Sequence, residues 1–236
     1  EKFCFPKLKE VITVSQSIVN QYEKEYGIKP YLVRNIPPKG TPPITETRTS
    51  LGLPENTPII LLQGNGINEG RGAEELVQAM QYVDRALLLI VGNGTVISKL
   101  KKRVVELHIQ DKVKFVNRVT PELLFNYTYW ADIGIALDRN ISANLRFSLP
   151  NKIFEYIKAG TPLVASNLVE RALIIQQYQV GLIVDNLEGK SIATAINRLI
   201  FDQEFYHQCK ENCKKAAEEL TWENEEKVLE KIYLNQ

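Results

Sequence analysis

The sequence predicts an α/β protein built on a doubly wound, parallel, six-stranded Rossmann-like sheet. Three observations carry that prediction. From residue 59 onward, six apolar runs of strand length alternate with helical stretches, which sets parallel strands side by side with helices on both faces. Glycines and polar residues collect in the loops after those runs, at the strands' carboxyl ends, where open α/β sheets hold their ligands. The composition, 44% apolar and 24% charged over 236 residues, is that of a globular chain large enough for one domain and part of another.

Ahead of the alternation, VITVS (11–15) reads as a short strand, the segment through YEKEYG as a helix, and YLVRN as a second extended piece. Residues 36–58 hold six of the eleven prolines. That density excludes a long helix or a central strand, so the segment reads as a linker with a short helix at TETRTSLG. The six runs follow as IILLQ, ALLLIV, KVKFVN, DIGIAL, PLVAS and GLIVD. From Phe205 to Tyr233 the chain is charged and helical without a further strand, and is expected to pack back across the molecule. The expected divisions are therefore 1–37, a linker at 38–58, a ligand-binding sheet domain at 59–204 and terminal helices at 205–236.

Several function classes lose support at this level. A net charge of +1 gives no reason to expect nucleic acid as a partner. No apolar run approaches the roughly 20 residues of a membrane helix. The KLKKR run (99–103) is either a solvated helix face or a peripheral membrane contact, and the first is the expectation. Three cysteines, an odd number, argue against a disulfide framework and suit a reducing, cytoplasmic setting. Cys209 and Cys213 lie four apart with His207 nearby, but a fourth metal ligand is missing, so they read as structural thiols. The chain opens at Glu1 without an initiator Met or a signal pattern, which leads us to expect a piece of a longer protein.

Four loops carry the candidate chemistry: GNGINEGRG (64–72), GNGT (92–95), NRVTPE (117–122) and DRNISANLRFSLPNK (138–152). The first sets four glycines and an arginine between a strand and a helix, which suits an anion approached by bare backbone amides, or simply a tight turn. A Walker-type loop is excluded because GRGA lacks the Lys-Ser/Thr pair. A dinucleotide site, and with it hydride transfer, expects a carboxylate where the second strand instead ends in IVGNGT. In the fourth loop, Gly160 followed by Pro162 ends a helix that starts at about Pro150 or Asn151. Lys152 then falls in the first turn, where the helix dipole disfavours a cation by about 0.3–1 kcal/mol. A diphosphate docked there would compensate; the other reading is a solvated lysine at a frayed end. Glu155, one turn on, is either ordinary helix chemistry or an acceptor for two neighbouring sugar hydroxyls.

These residues resemble the donor-binding C-terminal domain of GT-B glycosyltransferases, specifically the family-4 (group 1) retaining enzymes. Gly64 and Gly72 match that family's first loop, with Arg71 where the family has lysine. Glu155 matches the second of its two glutamates, and AGTPLV (159–164) its following motif. VITVS and YLVRNIPP resemble the end of its N-terminal domain and the crossover. Two departures stand out: Asn65 replaces an arginine, and Phe147 replaces the first glutamate, so that residue's contact to the donor sugar does not carry over.

The resemblance implies a fold, a reaction and a set of roles. Sugar would move from a nucleoside-diphosphate donor (UDP or GDP) to an acceptor glycan, lipid-linked sugar or small molecule, with retention, as in polysaccharide biosynthesis. Arg71 and Lys152 would hold the departing diphosphate in place of a metal; no Asp-x-Asp pair occurs. Glu155 would grip the ribose. The backbone at Arg118 and Val119 would meet the base above Leu124, although Arg118 also reads as a solvated loop arginine. Pro150 has no N–H, so the cradle would fall to the Asn151 and Lys152 amides beside Leu149. Gly64, Asn65, Gly92 and Gly94 would border the donor, with glycine turns as the plainer account of the last two. No cofactor is implied. The acceptor site would lie on an N-terminal domain, so this stretch alone would be inactive. A related epimerase or a non-catalytic nucleotide-sugar-binding module would use the same pocket.

Overall fold

A computed structural model describes residues 3–234. The outermost residues of the first and last expected segments, 1–2 and 235–236, lie outside the described residues. The chain opens with β1 (Ile12–Thr13), α1 (Gln16–Tyr26) and β2 (Tyr31–Leu32). Ser15 caps α1 and Gly27 ends it in the left-handed region at φ 67°. β1 and β2 pair as a two-stranded parallel sheet.

The main sheet holds β3 (Ile59–Gly64), β4 (Leu87–Gly92), β5 (Val113–Val116), β6 (Ile133–Ala136), β7 (Leu163–Ser166) and β8 (Gly181–Val184). Interleaved with them are α2 (Ala73–Ala79), α3 (Ile97–Glu106), α4 (Pro121–Trp130), α5 (Ala143–Phe147), α6 (Asn151–Ala159), α7 (Val169–Tyr178) and α8 (Gly189–Phe201), followed by α9 (Gln203–Glu219) and α10 (Trp222–Leu234). All six expected strands form, and they pair in parallel in the order β5-β4-β3-β6-β7-β8. Both faces are buried, which is why each strand reads as a continuous apolar run. Successive β3 residues alternate between two cores: Ile60 and Leu62 meet Leu76, Met80 and Ile196 on one side, while Ile59 and Leu61 meet Phe154, Ile157 and Ile174 on the other.

The strand order reverses between β3 and β6. The loops leaving these neighbours therefore diverge, and a crevice opens at their carboxyl ends. The loops concerned are 64–72 and 138–150.

TETRTSLG is a turn rather than the expected helix. Thr47 N–H donates to Ser50 Oγ (2.9 Å) and Ser50 N–H to Thr47 Oγ1 (3.1 Å), as at a helix start, and Leu51 N–H reaches Thr47 O at 3.1 Å. Gly52 then turns left-handed at φ 63° and Leu53 N–H closes on Arg48 O at 2.8 Å, which stops the chain after a single turn. The proline-rich segment is fastened to the sheet domain. Asn126 Oδ1 accepts from the Thr45 and Glu46 amides, both at 2.9 Å, and Trp130 Nε1 donates to Glu46 O at 2.7 Å. Arg48 pairs with Asp132 at 2.7 Å, and Asp132 also receives the Ile59 amide that opens β3.

The terminal helices cross the molecule. α9 lies along α6, with Cys213 and Ala216 in the same core as Phe154. Cys209 lies in the opposite core, and burial pushes its thiol up to about 11. Among the described residues no group of three His, Cys, Asp or Glu side chains could hold a metal. α10 returns to residues 34–39: Glu225 accepts from the Arg34 amide and guanidinium, both at 2.6 Å, and Glu223 accepts from the Lys39 amide at 2.8 Å. Among the described residues no helix is long and apolar enough to cross a membrane.

Candidate functional site

The crevice at the strand reversal is a cleft of about 350 Å³, within the range of small-ligand sites. Gln63, Gly64 and Asn65 form one wall at the end of β3, with Val91 and Gly92 beside them at the end of β4. Arg118, Val119, Pro121 and Leu124 come from the loop after β5 and the start of α4. Pro150, Asn151, Lys152 and Glu155 close the other side from the first turns of α6. Nine of the residues singled out from sequence thus meet at one place.

Helix α6 is aimed at the cleft by its buried face. Tyr156 is fully buried and donates its hydroxyl to Leu61 O of β3 at 3.0 Å. Pro150 precedes the helix in extended conformation (ψ 138°), and Gly160 ends it at φ 71°. The first-turn amides of Asn151 and Lys152 have no partner within the helix and face the cleft end. No acidic side chain stands in that turn to balance the dipole.

Lys152 is half-buried. Its ammonium is held below the ordinary lysine value by burial; Asp138 pulls it back up, Arg71 and Arg171 push it down, and Glu155 raises it more weakly. Three cations therefore cluster around Asp138, a carboxylate whose side chain is 1% exposed. Asp138 takes Arg71 Nη1 on Oδ1 at 3.1 Å and Arg171 Nη2 on Oδ2 at 2.8 Å. The site holds more positive charge than that carboxylate can balance.

Glu155 is in the opposite situation. Burial raises its carboxyl pKa, and Gln63 and Lys152 hold it down in part. Gln63 Nε2 donates to Glu155 Oε2, and Gln63 Oε1 lies 2.8 Å from the Thr128 hydroxyl. Gln63 thus links the end of β3 to α4 and α6.

Four of the sequence-predicted residues do not line the cleft. Arg71 reaches its edge through Asp138, with 38% of its side chain exposed. Gly72 caps α2 at φ 76°, and a Cβ there would lie 1.6 Å from Leu137 O, so its role is to let two chain segments meet. Gly94 abuts the Ile67 backbone. Leu149 is buried in the core beneath α6. The KLKKR run lies on α3, where Lys99 pairs with Glu74 at 3.6 Å and Arg103 with Glu106 at 3.0 Å.

Sequence reasoning missed Gln63, Val91, Pro121, Asp138 and Arg171. Gln63 and Asp138 carried a signal: each is a polar residue at the carboxyl end of an apolar run. Arg171 carried none, because its burial depends on how α7 meets the 138–150 loop.

Fold and cleft define a Rossmann-like α/β domain with a positively charged cleft at the topological switch. The chain belongs to the glycosyl transferases group 1 family, which it matches over residues 43–216. It is 28% identical over 206 residues to D-inositol 3-phosphate glycosyltransferase of Corynebacterium urealyticum, covering 82% of this chain and 47% of that protein. It is also 28% identical over 139 residues to GDP-mannose-dependent alpha-(1-6)-phosphatidylinositol monomannoside mannosyltransferase of Mycobacterium tuberculosis, covering 57% of this chain and 36% of that one. The chain spans about half the length of the first of these relatives, or less. Among solved structures, Anabaena HepE in complex with UDP and glucose superposes with a TM-score of 0.81 at 16% identity, over 96% of this chain and 63% of that one. The C-terminal domain of a glycosyl transferase group 1 protein from Francisella tularensis superposes with a TM-score of 0.59 at 14% identity, over 76% of this chain and 92% of that domain. The six-stranded parallel sheet is that of the GT-B glycosyltransferases.

Proposed function

We propose that this chain is the donor-binding half of a glycosyltransferase that takes a sugar from a nucleoside diphosphate. One observation carries the reading: an excess of positive charge stands at the first turn of α6, where Arg71, Lys152 and Arg171 are met by two carboxylates, Asp138 between them and Glu155 beside Lys152. A diphosphate satisfies that excess and the Asn151 and Lys152 amides together.

The rest of the donor follows in order along the cleft. Glu155 accepts from the ribose hydroxyls, with Gln63 holding one of its oxygens. The base lies against the Arg118–Val119 backbone and Leu124. In the reaction, breaking the sugar–phosphate bond places negative charge on the departing diphosphate. Arg71 meets it with a planar fork and Lys152 with a point charge, which are the parts a metal would otherwise play. The relatives' names include a GDP-mannose-dependent enzyme, and the HepE structure holds UDP, so both bases enter the test. Transfer with retention, and an acceptor held by the half of the relatives that this chain does not span, complete the proposal.

Thermal unfolding with UDP, GDP, ADP and NAD tests it. One nucleoside diphosphate at 100 times its Kd should stabilise the chain by about 2.7 kcal/mol. Stabilisation by NAD alone, or by none of the four, would refute the assignment.

A further inference from the structure

Arg171 belongs to α7, a helix that contributes no side chain to the cleft lining, yet it has no exposed surface. A guanidinium kept from water is tolerated only where its charge is met and its donors find acceptors. Arg171 has both at one place. Nη2 donates to Asp138 Oδ2 at 2.8 Å and to Ser148 Oγ at 3.1 Å, while Nη1 donates to Leu145 O at 3.3 Å. Its Nε is buried without a partner among the described residues, so the position is not one that folding alone would favour.

The consequence lies on the other side of Asp138. Its second oxygen holds Arg71, a long and partly exposed side chain that has many rotamers to choose from when unpaired. A carboxylate free to swing would draw Arg71 away from an arriving anion, or repel that anion. With Oδ2 taken by Arg171, Asp138 keeps one orientation and its charge is shared between two guanidinium groups. The contacts to Leu145 of α5 and to Ser148, which caps it, act on the same target from a second direction, because the end of α5 leads through Pro150 into the first turn of α6, where Lys152 stands.

We propose that Arg171 is a positioning residue for the diphosphate: it pins Asp138 and the C-terminal end of α5 so that Arg71 and the start of α6 face the same phosphates. The inference rests on the diphosphate reading above and goes beyond it by assigning a role to a side chain that never reaches the ligand.

Two variants of the whole chain test it, Arg171→Met and the double variant Asp138→Asn/Arg171→Met, the second removing both buried charges. Titration calorimetry with UDP, uridine, GDP and guanosine reads diphosphate and nucleoside binding separately, and thermal unfolding is followed alongside. In Arg171→Met the affinity for the favoured diphosphate should fall about tenfold or more, with its nucleoside within about twofold of wild type. In the double variant the unfolding temperature should recover toward wild type while the preference for diphosphate over nucleoside stays lost. A purely structural role would weaken both ligands by the same factor, or restore the preference together with stability, and either result overturns the proposal. If the single variant fails to fold, the double variant decides by the same criterion. A wild-type chain that binds UDP no better than uridine, and GDP no better than guanosine, would overturn the diphosphate reading itself and this inference with it.

Discussion

Burial is the largest influence on Lys152 and holds its ammonium below the ordinary lysine value of 10.5; Asp138 opposes it, and Arg71 and Arg171 add to it. The sign of the resulting pH dependence follows from linkage. In the empty chain the unfolded state binds the proton more tightly, so stability rises with pH between the depressed folded value and 10.5. A bound diphosphate favours the charged form and returns the pKa upward. Affinity should therefore be level below the depressed value and fall as pH rises through it, with protons taken up on binding between that value and 10.5. Calorimetry in buffers of different ionisation enthalpy measures the uptake directly, and Lys152→Arg should abolish it. Gln63 supplies a second residue-level prediction. Gln63→Leu removes the amide that holds Glu155, so the preference for UDP over 2′-deoxy-UDP, or for the guanine pair, should shrink about tenfold, equivalent to about 1.4 kcal/mol. Equal weakening of both nucleotides would show that Gln63 supports the cleft without orienting Glu155.

At the scale of elements, the orientation of α6 decides whether Lys152 and Glu155 meet a ligand at all, and Gly134 of β6 lets that helix sit where it does. A Cβ at Gly134 would lie 2.4 Å from the Tyr156 ring. Gly134→Ala should lift α6, at a cost of about 1–3 kcal/mol for overpacking. Chemical denaturation measures the loss, and nucleotide affinity should fall with it. The boundaries of α6 were legible because Gly160 and Pro162 are local signals, as the six strands were because both of their faces are buried. The turn at 48–52 was not, since Gly52 halts it after one helical bond and the apolar pattern does not show how early the chain stops. The same contrast runs through the site. Lys152, Glu155 and Arg118 could be read because they follow strand ends. The Asp138–Arg171 pair joins residues 33 apart in sequence, whose meeting depends on the β6–β7 pairing and on the α7 that follows it.

For the whole molecule, the open question is what joins the opening β1-α1-β2 unit to the sheet domain. The described contacts answer with a clasp. Ser17 N–H donates to Glu170 of α7 at 2.6 Å, while Arg34, just past β2, is held by Glu225 of α10 through its amide and its guanidinium. Trp222 N–H adds a bond to Pro37 O at 3.1 Å. The Glu225 side chain is only 8% exposed, so truncating it leaves Arg34 with one large, largely buried partner fewer. Charged hydrogen bonds of this kind contribute about 1.5–3 kcal/mol. Glu225→Ala should therefore lower stability by about 2 kcal/mol in urea and expose the 34–58 segment to protease before the sheet domain is cut. Glu223→Ala, which removes only solvent-exposed bonds to the Lys39 amide, should cost less than about 1 kcal/mol. Equal losses for the two variants would mean that the clasp holds by the burial of α10 rather than by the Arg34–Glu225 pair.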